Sequence, residues 1–146
     1  MKWRVLFFCM GLMLPVNLCF AHHMAVVVNK TNSVQNVTSA HLAKIVSGEL
    51  KKWPDGKNVL LVLPVASPGE LATLEHLNKM TDAEMKALLA SHKDSIRMVG
   101  TDADVIDAVA STPGAIGFVE ERSITDRVSV VKVDGKLPME SGYLPH

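Results

Sequence analysis

The chain has 146 residues, 48% of them hydrophobic, which suits one domain with one core and leaves little room for two. Its 15 basic and 15 acidic side chains balance, so nothing in the charge attracts nucleic acid or an anionic membrane surface. The two cysteines, Cys9 and Cys19, both lie near the N-terminus, so the body of the chain has neither a disulfide nor thiol chemistry to rely on.

The first element in chain order is a leader. Residues 1–4 are short and basic, residues 5–20 are apolar and uncharged, and Ala21 precedes the polar pair His22 and His23, which is the layout of a cleaved secretory signal. Pro15 and Asn17 interrupt the apolar run, which is shorter than the roughly 20 residues a spanning helix needs. Residues 1–21 are therefore expected to be removed on export to the periplasm, with no membrane insertion afterwards. A lipidated Cys19 is the alternative, but Val16, Asn17 and Leu18 are a poor match to the small residues that usually precede one. Loss of Lys2 and Arg4 would leave a slight acidic excess.

Strand and helix patterns then alternate. Residues 25–29 (AVVVN) form a β-branched run that reads as a buried strand, and the polar residues 30–37 read as a loop. Thr38 or Ser39 can cap a helix through Ser47, with Leu42, Ile45 and Val46 on one face and Gly48 as its stop. Trp53-Pro54-Asp55-Gly56 is a turn, and residues 59–65 (VLLVLPV) are apolar enough for a central strand. Ser67 and Pro68 open a helix over residues 69–79, and Thr81 with Glu84 is a capping box for another through Ser91. Residues 96–99 read as a strand, 102–111 as a helix, and 115–120 and 128–133 as strands. The domain is expected to span residues 22–136, with residues 137–146 as a flexible C-terminal tail. Strands separated by helices of this length predict an α/β fold, mostly parallel in its sheet and covered by helices on both faces.

Catalysis finds little support, and the chain is read as a non-enzyme with no catalytic residues and no cofactor. There is no cysteine nucleophile after the leader, no GxSxG elbow and no Walker-type phosphate loop. Asp82, Glu84, Asp102, Asp104 and Asp107 sit at helix starts and on exposed faces, where dipole and solvent account for them. No metal site is expected: the histidines His22, His23, His41, His76, His92 and His146 show no HxxxH spacing, and the pair at the expected mature N-terminus is read as a frayed end. Trp53, following Lys51 and Lys52, is read as packing on the core, with a partner surface as the alternative.

Three segments carry a family resemblance: IVSGELKKWPDG (45–56), LLVLPVASPGE (60–70) and STPGAIGFVE (111–120). Their order and spacing resemble the phosphate-type substrate-binding proteins of ABC transporters, in particular short members with a single lobe. VSVVKVDGKLP (128–138) looks like the same short members. The resemblance implies a single lobe of a type II periplasmic-binding-protein fold, and a helix start where an oxyanion such as phosphate is held. The matching cap is Ser67-Pro68-Gly69-Glu70, with Ser67, Gly69 and Glu70 as candidate ligand-binding residues. A serine hydroxyl, free N–H groups and a helix dipole suit an anion, although Ser67 serves equally as an ordinary cap. Three departures point to weak or altered oxyanion binding: no arginine lies in or near the cap, Pro64 and Val65 stand where the family has polar or basic groups, and Glu70 adds a carboxylate. A charge about 4 Å from a bound anion costs on the order of 1 to 4 kcal/mol. The expected partners are a small oxyanion and a membrane transporter or sensor. The alternative is an envelope interaction or sensory accessory module that kept the fold and lost the ligand.

Overall fold

The computed structural model describes residues 23–65 and 68–145. The expected leader and Ser67 lie outside the described residues. The elements follow in the order β1 (Met24–Asn29), β2 (Asn36–Val37), α1 (Ser39–Val46), β3 (Leu60–Pro64), α2 (Pro68–Asn78), α3 (Asp82–Ser91), β4 (Ile96–Val99), α4 (Asp102–Ser111), β5 (Ala115–Glu120), β6 (Val128–Val130) and β7 (Lys132–Val133).

The helix starts form where short polar side chains meet unpaired backbone N–H groups. Thr38 accepts from the amide of His41 at the head of α1, while Thr81 with Glu84 and Thr101 with Asp104 make full capping boxes for α3 and α4. Gly48 follows the end of α1 at φ +75°, and a Cβ there would lie 2.6 Å from the His92 ring. Only glycine satisfies both conditions.

The main sheet has the order β4-β3-β5-β1-β6. β3 runs parallel to β4 and β5, whereas β1 pairs antiparallel with both β5 and β6. Every strand but β1 therefore points the same way, and the sheet is mostly parallel with one reversed strand near one edge. The expected loop over residues 30–37 contains β2, which pairs in parallel with β7 in a separate two-stranded ribbon.

Side-chain alternation divides the core between the two faces of the sheet. Val26, Val28, Leu61, Leu63, Ile116 and Phe118 pack on Leu42, Ile45 and Val46 of α1, Leu74 of α2 and Met85 of α3. Val27, Val62, Ala115 and Val119 meet Val105, Ile106 and Val109 of α4 on the other. Phe118 is fully buried, and burial of such a side chain is worth about 1.5 to 3 kcal/mol. Gly117 lets α4 approach: a Cβ there would lie 2.5 Å from Val105 and 3.0 Å from Val109. Asn29 ties β1 to the same helix, donating to the carbonyls of Val109 and Ala110 at 2.9 and 3.0 Å.

The segment expected as a flexible tail carries two core residues. Tyr143 and Leu144 are buried in the core. The Tyr143 hydroxyl donates to the carbonyl of Val131 at 2.6 Å and accepts the amide of Val26 at 3.0 Å. Those backbone groups sit where β6 has ended, so a phenol completes pairing that the sheet leaves open. The prolines and glycine of this segment permit a compact path that ends on an aromatic anchor.

Trp53 packs on the core as expected. It is 5% exposed, and its indole donates to the carbonyl of Gly114 at 2.8 Å.

Candidate functional site

In an open α/β sheet, ligands bind beyond the carboxyl ends of parallel strands, where loops turn into helix N-termini. Here that edge is formed by Pro64 at the end of β3 and Val65 just after it, Val99 at the end of β4 and Glu120 at the end of β5. The amide of Val65 donates to the carbonyl of Val99 at 2.7 Å, so the parallel ladder is held to its end. α2 starts beside this edge at Pro68 and α4 at Asp102.

The edge is lined with carboxyl groups. Glu70, in the first turn of α2, is only 2% exposed, and its carboxyl oxygens are shut off from solvent beside Asp102. Burial chiefly, then the neighbouring Asp102 carboxylate and Glu120, push its pKa up to about 9. At neutral pH Glu70 is therefore protonated and uncharged. Asp102 accepts the backbone amide of Glu120 at 2.9 Å, which stitches the head of α4 to the end of β5. Glu120 also pairs with the exposed Arg122.

In front of Glu70 lies a cleft of about 470 Å³ between α2, α3 and the ends of β3 and β4. Leu63, Pro64, Leu71, Leu74, Leu89 and Met98 give it apolar walls. At its margin Lys86 pairs with Asp82 at 2.8 Å. Val65 and Met98, 63% and 42% exposed, form an apolar lip.

Of the candidates read from sequence, Ser67 lies outside the described residues. Gly69 is exposed at the head of α2 with open space around its α-carbon, and its carbonyl accepts the hydroxyl of Thr73 at 3.0 Å. Glu70 turns inward rather than toward solvent. The sequence places Asp102 at a helix start, where the dipole accounts for it; Thr101 and Asp104 do the capping, and Asp102 faces the β5 end and Glu70. Glu120 was passed over, although it closes the resembling segment over residues 111–120. Among the described residues no group of histidines and carboxylates has the arrangement of a metal site.

Residues 20–140 match the family model described as a PBP superfamily domain. The phosphate-binding protein PstS of Bacillus subtilis (strain 168) is 27% identical over 120 residues, which cover 79% of this chain and 37% of that protein. Among solved structures, an ABC-type phosphate transport receptor from Vibrio cholerae superposes with a TM-score of 0.65 at 22% identity, over 80% of this chain and 48% of that one. PstS from Borrelia burgdorferi gives 0.59 at 19% identity, over 80% and 49%. At these identities the structures speak for the fold alone, and the chain spans less than half the length of each relative. With the family model matched over most of its length and these lobes sharing its fold, the chain belongs to the PBP superfamily, among relatives that are phosphate-type receptors.

Proposed function

We propose that the chain is a solute-binding lobe related to the phosphate-binding components of ABC transporters, in which oxyanion binding is weak or altered. The observation that carries this reading is Glu70, a buried carboxyl at the helix start beside the sheet's carboxyl edge, with Asp102 and Glu120 next to it. The helix dipole at that point favours an anion, while the adjoining carboxylates repel one. One lobe also covers a ligand from one side only, leaving the rest of its polar atoms to solvent. The proposed partners are a small oxyanion such as phosphate and a membrane transporter or sensor that supplies the opposing wall.

The proposed location is the periplasm, reached by removal of residues 1–21. Among the described residues no helix is long and apolar enough to cross a membrane. Mass spectrometry of the protein recovered from the periplasm tests the cleavage: a mature N-terminus at His22 supports it, and an intact Met1 overturns it.

Thermal melting with about 10 mM phosphate, sulfate or molybdate tests binding, since a ligand at 100 times its Kd adds about 2.7 kcal/mol. A shift that Ser67→Ala reduces supports an anion site at the head of α2. No shift with any oxyanion, in the wild type or in Ser67→Ala, retires phosphate-type binding. A second reading, an envelope interaction module that kept the fold and lost the ligand, is favoured by the exposed apolar lip of Val65 and Met98.

A further inference from the structure

A second cavity, of about 350 Å³, lies between α1, β2 with the loop before it, and the turn that carries Trp53. That volume falls within the roughly 300 to 1,000 Å³ of small-molecule sites. It shares no lining residue with the cleft beside α2. Val37, Ile45 and Trp53, none more than 5% exposed, line it together with the less buried Val34, Leu50 and Pro54. Trp53 therefore does two things at once: it packs on the core and presents part of its ring to this cavity.

The polar side chains of the lining are Asn36, His41 and Lys52, all exposed, and no aspartate or glutamate joins them. The Oδ1 of Asn36 already accepts the amide of Gly135 at 2.9 Å, which leaves the amide nitrogen of that side chain to donate. The Trp53 indole N–H is committed to Gly114. Among the described residues neither His41 nor Lys52 forms an ion pair. Of the acids close by in sequence, Asp55 pairs with Lys57 at 2.6 Å and Glu49 lies outside the lining. The cavity thus combines donors and a positive charge with an apolar surface. An ammonium ligand meets repulsion from Lys52. A small inorganic anion uses the donors and none of the apolar surface, whereas a carboxylate on a hydrocarbon body uses both.

We propose that this cavity binds a monocarboxylate with an apolar, ring-sized body, its carboxylate held by Lys52 and Asn36 and its body against Trp53, Val34 and Leu50. The site is separate from the head of α2 and does not depend on oxyanion binding there. An exposed lysine adds only modestly to affinity, so the apolar contact carries most of it and the charge sets the preference for an acid. The sequence holds two tryptophans, Trp3 and Trp53. In a chain that begins at His22, Trp53 is the only indole and its emission reports this cavity. Trp3→Phe makes the same true of an uncleaved chain.

The test is titration of the protein recovered from the periplasm with 3-phenylpropanoate, 3-phenylpropylamine, propanoate and inorganic phosphate, followed by Trp53 emission. 3-Phenylpropanoate should give a saturable change and bind most tightly of the four. Lys52→Glu should weaken it about 5- to 10-fold, since the substitution removes an exposed attraction and adds a repulsion. Lys93→Glu makes the same charge change at an exposed lysine outside the lining and should leave the affinity as it is, which separates a local contact from net charge. Both substitutions are on exposed side chains, so both variants should fold. The proposal is overturned if the amine, propanoate or phosphate binds as tightly as the phenyl acid, if the two variants weaken binding equally, or if the acid gives no saturable change.

Discussion

The indole Nε1 of Trp53 donates to the carbonyl oxygen of Gly114 at 2.8 Å, joining residues 61 positions apart in the buried interior. Gly114 stands at φ +84°, and a Cβ there would lie 2.3 Å from the carbonyl oxygen of Asn58. The contact locks the Trp53 turn onto the entry of β5, and it links two of the segments that carry the family resemblance.

Trp53→Phe keeps an aromatic ring and removes the donor. The Gly114 carbonyl still accepts the amide of Leu60 at 3.3 Å, so it is not orphaned. The expected loss is about 0.5 to 1.5 kcal/mol for the hydrogen bond, plus a smaller packing defect, read by urea denaturation. A loss above about 4 kcal/mol would mean the turn depends on more than this bond.

Gly117 and Gly69 should respond in opposite ways to alanine. At Gly117 the new methyl would press into Val105 and Val109 of α4, an overpacking cost of about 1 to 3 kcal/mol. At Gly69 nothing lies within 4 Å, so Gly69→Ala should be neutral or stabilise α2 by up to about 1 kcal/mol. Equal melting temperatures for the two variants would contradict the close approach of α4 to the sheet.

Tyr143→Phe removes the hydroxyl that serves both Val26 and Val131. Both backbone groups are buried, so the variant should lose about 1 to 3 kcal/mol. Amide exchange at Val26 should accelerate in the variant. Unchanged exchange there would show that the chain end does not guard the strand.

Glu70 makes stability depend on pH. Its folded pKa of about 9 lies above the ordinary value of 4.5, so between those values the folded state holds a proton that the unfolded state has released. The stabilisation is complete below about pH 4.5 and is lost as pH rises toward 9, at no more than about 1.4 kcal/mol per pH unit. Chemical denaturation from pH 5 to 9 should therefore show wild type falling relative to Glu70→Gln. Parallel curves would place Glu70 in contact with water.

Several elements were legible because their signals are local. The Thr81 and Glu84 capping box, the 102–111 helix and the strands at 96–99 and 115–120 fall where the pattern puts them. The direction of β1 was not legible, since the continuous apolar run in AVVVN marks a buried strand without saying which neighbour it joins. The β2–β7 ribbon is too short to show a period. At the site, Glu70 was visible as a residue but not its environment: an acidic side chain in a first helical turn ordinarily faces solvent, and only the fold brings Asp102 and Glu120 against it.

The reversed strand sets an order of events during synthesis. β1 leaves the ribosome ahead of every other described element, yet its partners in the sheet are β5 and β6, with Val26 opposite Phe118. Until the chain has grown past residue 115, both edges of β1 are bare and its valines have no sheet to join. The centre of the molecule is thus closed late, by residues from opposite ends of the message, and a chain cut short before β5 carries this buried strand uncovered.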